Sequence, residues 1–141
     1  DTGNEGLNAA LIKAVQECRE KEIRFRYVIM GRPDRIDSMH MGTLLYNLLS
    51  NGIEACMAVE TERELELVVR EEDGTTEIFM ENTISGSVLK NNPNLESRKQ
   101  DKRYHGFGIE SIRGIIGKYQ GHYSYREESG RFIQEIDLRD G

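Results

Sequence analysis

Apolar residues recur with a helical period in three stretches of the chain and with a strand period in five. Leu7, Leu11, Ala14/Val15 and Cys18 fall at helical intervals and predict an amphipathic helix over about residues 5–21. Thr2 and Glu5 ahead of it have the Thr-x-x-Glu spacing of a capping box. Ile23, Phe25, Tyr27 and Ile29 then alternate with Arg24, Arg26 and Val28, the pattern of a half-buried strand that Gly31 and Pro33 end. Asp37 or Ser38 can cap a second helix, whose Met41, Leu44, Leu45, Leu48, Leu49 and Cys56 cover one broad face.

Leu65, Leu67 and Val69 alternate with charges, as do Ile78 and Met80, and the Asp73-Gly74 pair between them predicts a hairpin. The periodicity stops from Ser85 to His105, a polar stretch whose length is uncommon for a structureless loop unless it is functional. Ile109, Ile112, Ile116 and Tyr119 restore a helical period, and Gly121 is placed to stop that helix. Two strands, at about 122–127 and 131–138, follow, joined at Ser129-Gly130. No internal repeat is visible. The order helix, strand, helix, strand, strand, loop, helix, strand, strand fits an α+β fold: a two-layer sandwich with a mixed sheet of about five strands and three helices on one face.

Composition narrows the class. A chain of 141 residues with 37% hydrophobic side chains is one domain, residues 1–141, able to bury about two thirds of its unfolded surface without a disulfide framework. No apolar run has the length of a membrane span and no signal-peptide pattern opens the chain, so it is expected to be soluble as given. The excess of 25 Asp plus Glu over 19 Lys plus Arg argues against nucleic acid as a partner. Cys18 and Cys56 lie on the apolar helical stripes and read as buried reduced thiols, consistent with a cytosolic compartment.

Four features carry candidate chemistry. Asn47, Asn51 and Glu54 form a line on the second helix at i, i+4, i+7, about 140° from the centre of the leucine stripe at about 100° per residue. Two amides one turn apart offer carbonyl oxygens to a hard cation that already carries phosphate ligands; the same spacing also serves a solvated polar face. His105-Gly106-Phe107-Gly108 stands directly before a helix, where backbone N–H groups and the helix dipole favour a phosphate, or where a plain loop meets a helix. Residues 87–105 hold five basic side chains against two acidic ones in a chain of net charge −6, suiting a loop that covers an anion or simply a solvated surface. Asn82 ends its strand on the face of Ile78 and Met80, pointing toward the gap bordered by the other features unless it forms a local Asx turn.

In order and spacing these pieces resemble the ATP-binding domain of the GHKL superfamily, and more narrowly the catalytic domain of peptide-pheromone, quorum-sensing sensor histidine kinases. The matching strings are Thr-Gly-Asn at 2–4, Leu-Leu-Tyr-Asn-Leu-Leu-Ser-Asn-Gly-Ile-Glu-Ala-Cys at 44–56 and Glu-Asn-Thr-Ile-Ser-Gly at 81–86. They continue with Ser-Arg-Lys-Gln-Asp-Lys-Arg-Tyr-His-Gly-Phe-Gly-Ile at 97–109 and Ser-Ile-Arg-Gly-Ile-Ile-Gly-Lys-Tyr-Gln-Gly at 111–121. The resemblance implies the Bergerat-type sandwich with a long ATP lid at about 84–105, and ATP and Mg2+ as cofactors. It implies Asn51 as the Mg2+ ligand and catalytic residue, with Asn47 one turn earlier helping to hold metal or phosphate. It further implies ATP contacts from Asn82, Gly86, Lys99, His105, Gly106, Phe107, Gly108 and Ile109.

Asn82 stands where most relatives carry an Asp that reads the adenine amino group; an amide oxygen accepts the same bond without charge, and Asn is usual in the pheromone-sensor branch. Residue 47 is a Glu in gyrase-like relatives, and an amide cannot activate water, which favours kinase chemistry over hydrolysis. Ile84 replaces the first glycine of the first glycine box, and Glu54 replaces a common basic residue. None of His40, His105 and His122 has the surroundings of a phosphoacceptor. The resemblance therefore implies an upstream dimeric helical domain that carries the acceptor histidine, a cognate response regulator, and a cytoplasmic position in a bacterial membrane sensor, with no direct membrane contact by this domain. The expected activity is protein-histidine kinase; the alternative is an ATP-binding interaction module that has lost transfer.

Overall fold

The computed structural model describes residues 1–90, 92–95 and 107–139, with the side chain of Phe107 left out. Eight elements follow in order: α1 (Glu5–Glu20), β1 (Arg24–Met30), α2 (Ser38–Met57), β2 (Glu64–Glu72), β3 (Thr75–Thr83), α3 (Phe107–Lys118), β4 (His122–Glu128) and β5 (Arg131–Arg139). The strands form one sheet in the order β1-β2-β3-β5-β4. β1 runs parallel to β2, with α2 as the crossover, and the other pairs are antiparallel. The three helices pack on the sheet, with α2 in the centre of the layer contacting both α1 and α3.

Strand alternation decides which side chains meet the helices. Leu65, Leu67 and Val69 on β2, Ile78 and Met80 on β3, and Ile136 and Leu138 on β5 are all buried, and they share a core with Leu7, Leu11, Met41, Leu44, Leu45, Leu48 and Ile112. The opposite face carries ion pairs such as Arg70–Glu77 at 2.6 Å, Arg126–Glu135 at 2.9 Å and the close Arg131–Glu64 contact. Both hairpin turns place two consecutive residues at positive φ, Asp73-Gly74 at 51° and 80° and Ser129-Gly130 at 51° and 75°. That conformation matches the right-handed twist of the flanking strands.

Three local expectations need correction. The N-cap of α1 is Asn4, whose Oδ1 accepts from Leu7 N at 3.0 Å, so Thr2 is not the capping residue. Asn4 wins because its Nδ2 also donates to Pro33 O at 3.0 Å and Ile36 O at 2.7 Å, tying the helix start to the chain that leads into α2. At the end of α3 the left-handed residue is Gln120, φ 50°, while Gly121 N donates to Ile116 O at 2.9 Å in a Schellman closure. Gly121 is required for a different reason: a β-carbon there would lie 1.9 Å from Asp137 O. Tyr27 is 47% exposed, unlike Ile23 at 6%, because β1 is an edge strand that α1 only partly covers. The expected cap Asp37 is observed, its Oδ1 accepting from Met39 N at 2.8 Å and His40 N at 3.3 Å.

Candidate functional site

α2 brings the first part of the site together. Its Asn47–Asn51–Glu54 line runs from buried to exposed, because α3 packs across the Asn47 end. Asn47 is 7% exposed, and its Nδ2 donates to Thr43 O one turn back at 2.9 Å. The bond leaves the Asn47 carbonyl oxygen toward α3, where a β-carbon on Gly108 would sit 3.3 Å from Asn47 Oδ1 and 3.5 Å from Asn51 Nδ2. Both asparagines and the start of α3 thus border one space. Gly108 and Ile109 lie inside the first turn of α3 rather than ahead of it, since the helix begins at Phe107. The first turn of a helix carries N–H groups that no intrahelical bond serves, and its dipole favours an anion there.

Beside this edge lies a cavity of about 200 Å³, bordered by Asn51, Gly52, Asn82, Ile84, Val88, Leu95, Ile109, Ile112 and Phe132. An apolar groove between α1 and α2, lined by Ala10, Tyr46 and Ile53 among others, contains none of the polar candidates, so the chemistry points to the cavity beside Asn82 instead. Asn82 is 1% exposed, and its Nδ2 donates to Thr83 O at 3.1 Å. Its Oδ1 is buried with no hydrogen-bond partner among the described residues. Few buried acceptors are left unmet in folded proteins, and one that borders a cavity is a point where a ligand donor recovers the cost. The Asx-turn explanation for Asn82 does not hold for this oxygen, which makes no local bond.

Gly52 supports that arrangement and was not singled out from the sequence. A β-carbon there would lie 2.8 Å from Leu65 Cδ1, 3.2 Å from Met80 Cε and 3.5 Å from Asn82 Oδ1. A glycine inside an otherwise regular helix was the available signal. Tyr123 and Gln134 also border the cavity and pair with each other, Tyr123 Oη donating to Gln134 Oε1 at 2.5 Å. Burial pushes the Tyr123 phenol well up, so it remains a donor. Tyr123 and Tyr125 alternate along β4, and the pairing of β4 with β5 sets Tyr123 beside Gln134.

The described part of the 84–105 stretch is bonded rather than free. Gly86 takes a positive φ of 76° with open space around it, and it turns the chain away from β3. Lys99, His105 and Gly106 lie outside the described residues, as does the side chain of Phe107. The two cysteines are free and buried, and burial, then Cys56 and Glu17, push the Cys18 thiol up to about 11. Neither thiol borders the cavity. Among the described residues no cluster of three or more His, Cys, Asp or Glu side chains is arranged to hold a metal ion. Beside Gly108 stand the Asn47 carbonyl oxygen, a ligand type that suits a hard cation whose charge is met by phosphate oxygens, and the Asn51 amide nitrogen.

The fold is that of histidine kinase catalytic domains. The catalytic domain of histidine kinase ThkA superposes with a TM-score of 0.76 at 15% identity, over 99% of this chain and 93% of that one. The mycobacterial sensor histidine kinase MprB gives 0.69 at 14% identity, over 96% and 93% of the two chains. Histidine kinase AdeS of Acinetobacter baumannii gives 0.66 at 14%, over 95% of this chain and 64% of that one. At the level of sequence, the family model described as the GHKL domain matches residues 36–139, most of the chain. The chain belongs to the GHKL domain family, whose members bind ATP. A search of curated protein sequences returns no significant match.

Proposed function

We propose that this chain is the ATP-binding catalytic domain of a two-component sensor histidine kinase of the peptide-pheromone, quorum-sensing branch. It would transfer the γ-phosphoryl group of ATP to a histidine on dimerisation helices outside this sequence, within a homodimeric bacterial membrane sensor that serves a response regulator. The observation that carries this reading is the orphaned Asn82 Oδ1 at the wall of an apolar cavity, beside two asparagine amides that face a glycine at a helix start.

The residues fit a nucleotide in a definite order. Ile84, Ile109, Ile112 and Phe132 enclose a planar base by apolar contact, and Asn82 Oδ1 accepts its exocyclic amino hydrogen. Asn82 Nδ2 is committed to Thr83 O, so the amide presents its oxygen and not its nitrogen. The first turn of α3, at Gly108 and Ile109, offers N–H groups to the phosphates, with Gly106 and Phe107 ahead of them and Lys99 and His105 as cationic or polar contacts from the intervening stretch. Asn51, with Asn47 beside it, would hold Mg2+, which supplies neutralisation of the charge that develops on the phosphoryl oxygens. Gly86 lets the chain leave β3 and cross over the base.

During transfer an acceptor imidazole nitrogen bonds to the γ-phosphorus as the β–γ bridging oxygen leaves with ADP. Residue 47 supplies no base for that step, since it is an amide whose Nδ2 is held by Thr43 O. Its contribution is positioning and charge complementarity. The test is to supply labelled ATP with the upstream acceptor domain. Phosphohistidine should form with the native chain and fall with Asn51→Ala or Asn51→Asp. Binding of ATP without any transfer would overturn the kinase reading and leave a nucleotide-responsive interaction module.

A further inference from the structure

The inner wall of the cavity comes from regular elements, Gly52 on α2, Ile112 on α3 and Phe132 on β5, but Val88 and Leu95 on the outer wall belong to no helix or strand. Such a wall needs something to hold it. Glu127 on β4 reaches across to it: its Oε1 accepts from Ser87 Oγ at 2.7 Å, and its Oε2 accepts from Val88 N at 2.5 Å and Leu89 N at 2.9 Å. Ser87 Oγ in turn accepts from Lys90 N at 2.9 Å, and Asn92 N donates to Val88 O at 3.2 Å, closing one turn. Downstream, Tyr125 Oη donates to Pro93 O at 2.8 Å and Arg113 donates to Asn94 O at 3.2 Å.

We propose that Glu127 is a positioning residue for nucleotide binding: its carboxylate caps the turn at Ser87–Lys90 from a neighbouring strand and so holds Val88 and Leu95 against the base. The inference rests on the cavity being the base site proposed above. Two successive backbone N–H groups and a hydroxyl converge on the two carboxylate oxygens, an arrangement that charge strengthens. Burial pushes the Glu127 carboxyl up, but the hydrogen bonds from Ser87, Leu89 and Val88 outweigh it and hold it below the usual carboxylate range, so it stays ionised. A glutamine of the same shape can still accept from Val88 N and Leu89 N through its oxygen and donate to the Ser87 hydroxyl, but it removes the charge that strengthens all three bonds.

Glu127→Gln and Glu127→Asp separate this role from a general structural one. Calorimetry with adenosine and with Mg-ATP should show Glu127→Gln weakening both by a similar factor of about ten, the equivalent of one charge-assisted hydrogen bond. Glu127→Asp, which keeps the charge on a shorter stem, should fall between. Hydrogen exchange of the Val88 and Leu89 amides should quicken in Glu127→Gln while amides of β3 and β5 keep their native rates. Equal adenosine and ATP affinities in native and Glu127→Gln protein would overturn the proposal, and so would a loss confined to ATP, which assigns Glu127 to the phosphate end. Failure of the native chain to bind ATP is a separate outcome that defeats the nucleotide reading, and the anchor is then decided by the exchange rates of Val88 and Leu89.

Discussion

Replacing Asn82 by leucine should move stability and nucleotide affinity in opposite directions. In the nucleotide-free protein Asn82 Oδ1 is buried and unmet, a state that costs ~1–3 kcal/mol, while its Nδ2 bond to Thr83 O returns ~1 kcal/mol. Leucine keeps the branching and the four heavy side-chain atoms, its bulkier methyls can extend into the adjoining cavity, and it would join Leu65, its cross-strand partner, and Phe132, so the free protein should be unchanged or more stable by up to ~2 kcal/mol. At ~2–4 °C per kcal/mol for a chain of about this size, the unfolding midpoint should rise by a few degrees or stay level. The base amino group would meet a methyl instead of an acceptor and lose ~1–3 kcal/mol, about a five- to 150-fold weaker Kd. At ten times the native Kd, Mg-ATP should stabilise native protein by about 1.4 kcal/mol, and the variant by about 0.6 kcal/mol at fivefold weakening, falling to almost nothing at about 150-fold. Differential scanning calorimetry with and without Mg-ATP measures both quantities. A variant that is less stable without nucleotide yet shows the native ATP shift would refute the argument, because Asn82 would then be structural and its oxygen irrelevant to the ligand.

Other expectations follow from the same geometry. Gly108→Ala would place a methyl 3.3 Å from Asn47 Oδ1 and 3.5 Å from Asn51 Nδ2; the helix should gain up to ~1 kcal/mol while Mg-ATP affinity falls at least about tenfold, as read by calorimetric titration. Gly6→Ala sets a β-carbon 2.0 Å from Ser38 O and 2.7 Å from Gly42 N, backbone atoms that cannot step aside, and should destabilise by ~1–3 kcal/mol in urea unfolding. Gly114→Ala, with open space around it, should stabilise by up to ~1 kcal/mol in the same assay. Arg131 donates to Glu64 and holds its carboxyl below the usual range, so the associated stability is present above the unfolded carboxylate value and is lost as pH falls through the folded one. Glu64→Gln should therefore flatten the loss of stability below about pH 4.5, and an unchanged acid limb would refute the coupling.

Much of the architecture was legible because single elements carry their own periodicity. Leu44, Leu45, Leu48 and Leu49 announce a buried helix face without reference to anything else, and Asp73-Gly74 between two alternating runs announces a hairpin. The candidate site was legible as residue types: Asn47, Asn51, Asn82 and Gly108 stand out against their surroundings, and the first two share a helix face by spacing alone. Local rules misplaced two helix ends, putting Thr2 where Asn4 caps and Gly121 where Gln120 takes the left-handed conformation. Each of those choices depends on a contact with a distant segment, Pro33 and Ile36 for Asn4 and Asp137 for Gly121.

By itself, then, the sequence determined which segments are helices and strands, which faces are apolar, and which polar residues are out of place for a plain surface. Tertiary structure alone decided that Asn82 Oδ1 ends without a partner, that Gly108 meets the two asparagines, and that Glu127 holds Val88 and Leu89. The physical reason is the range of the interactions. Periodicity and capping act over a few residues, whereas an unmet acceptor, a close backbone approach and a carboxylate spanning to another segment exist only once β3, α2, α3 and β4 are packed together.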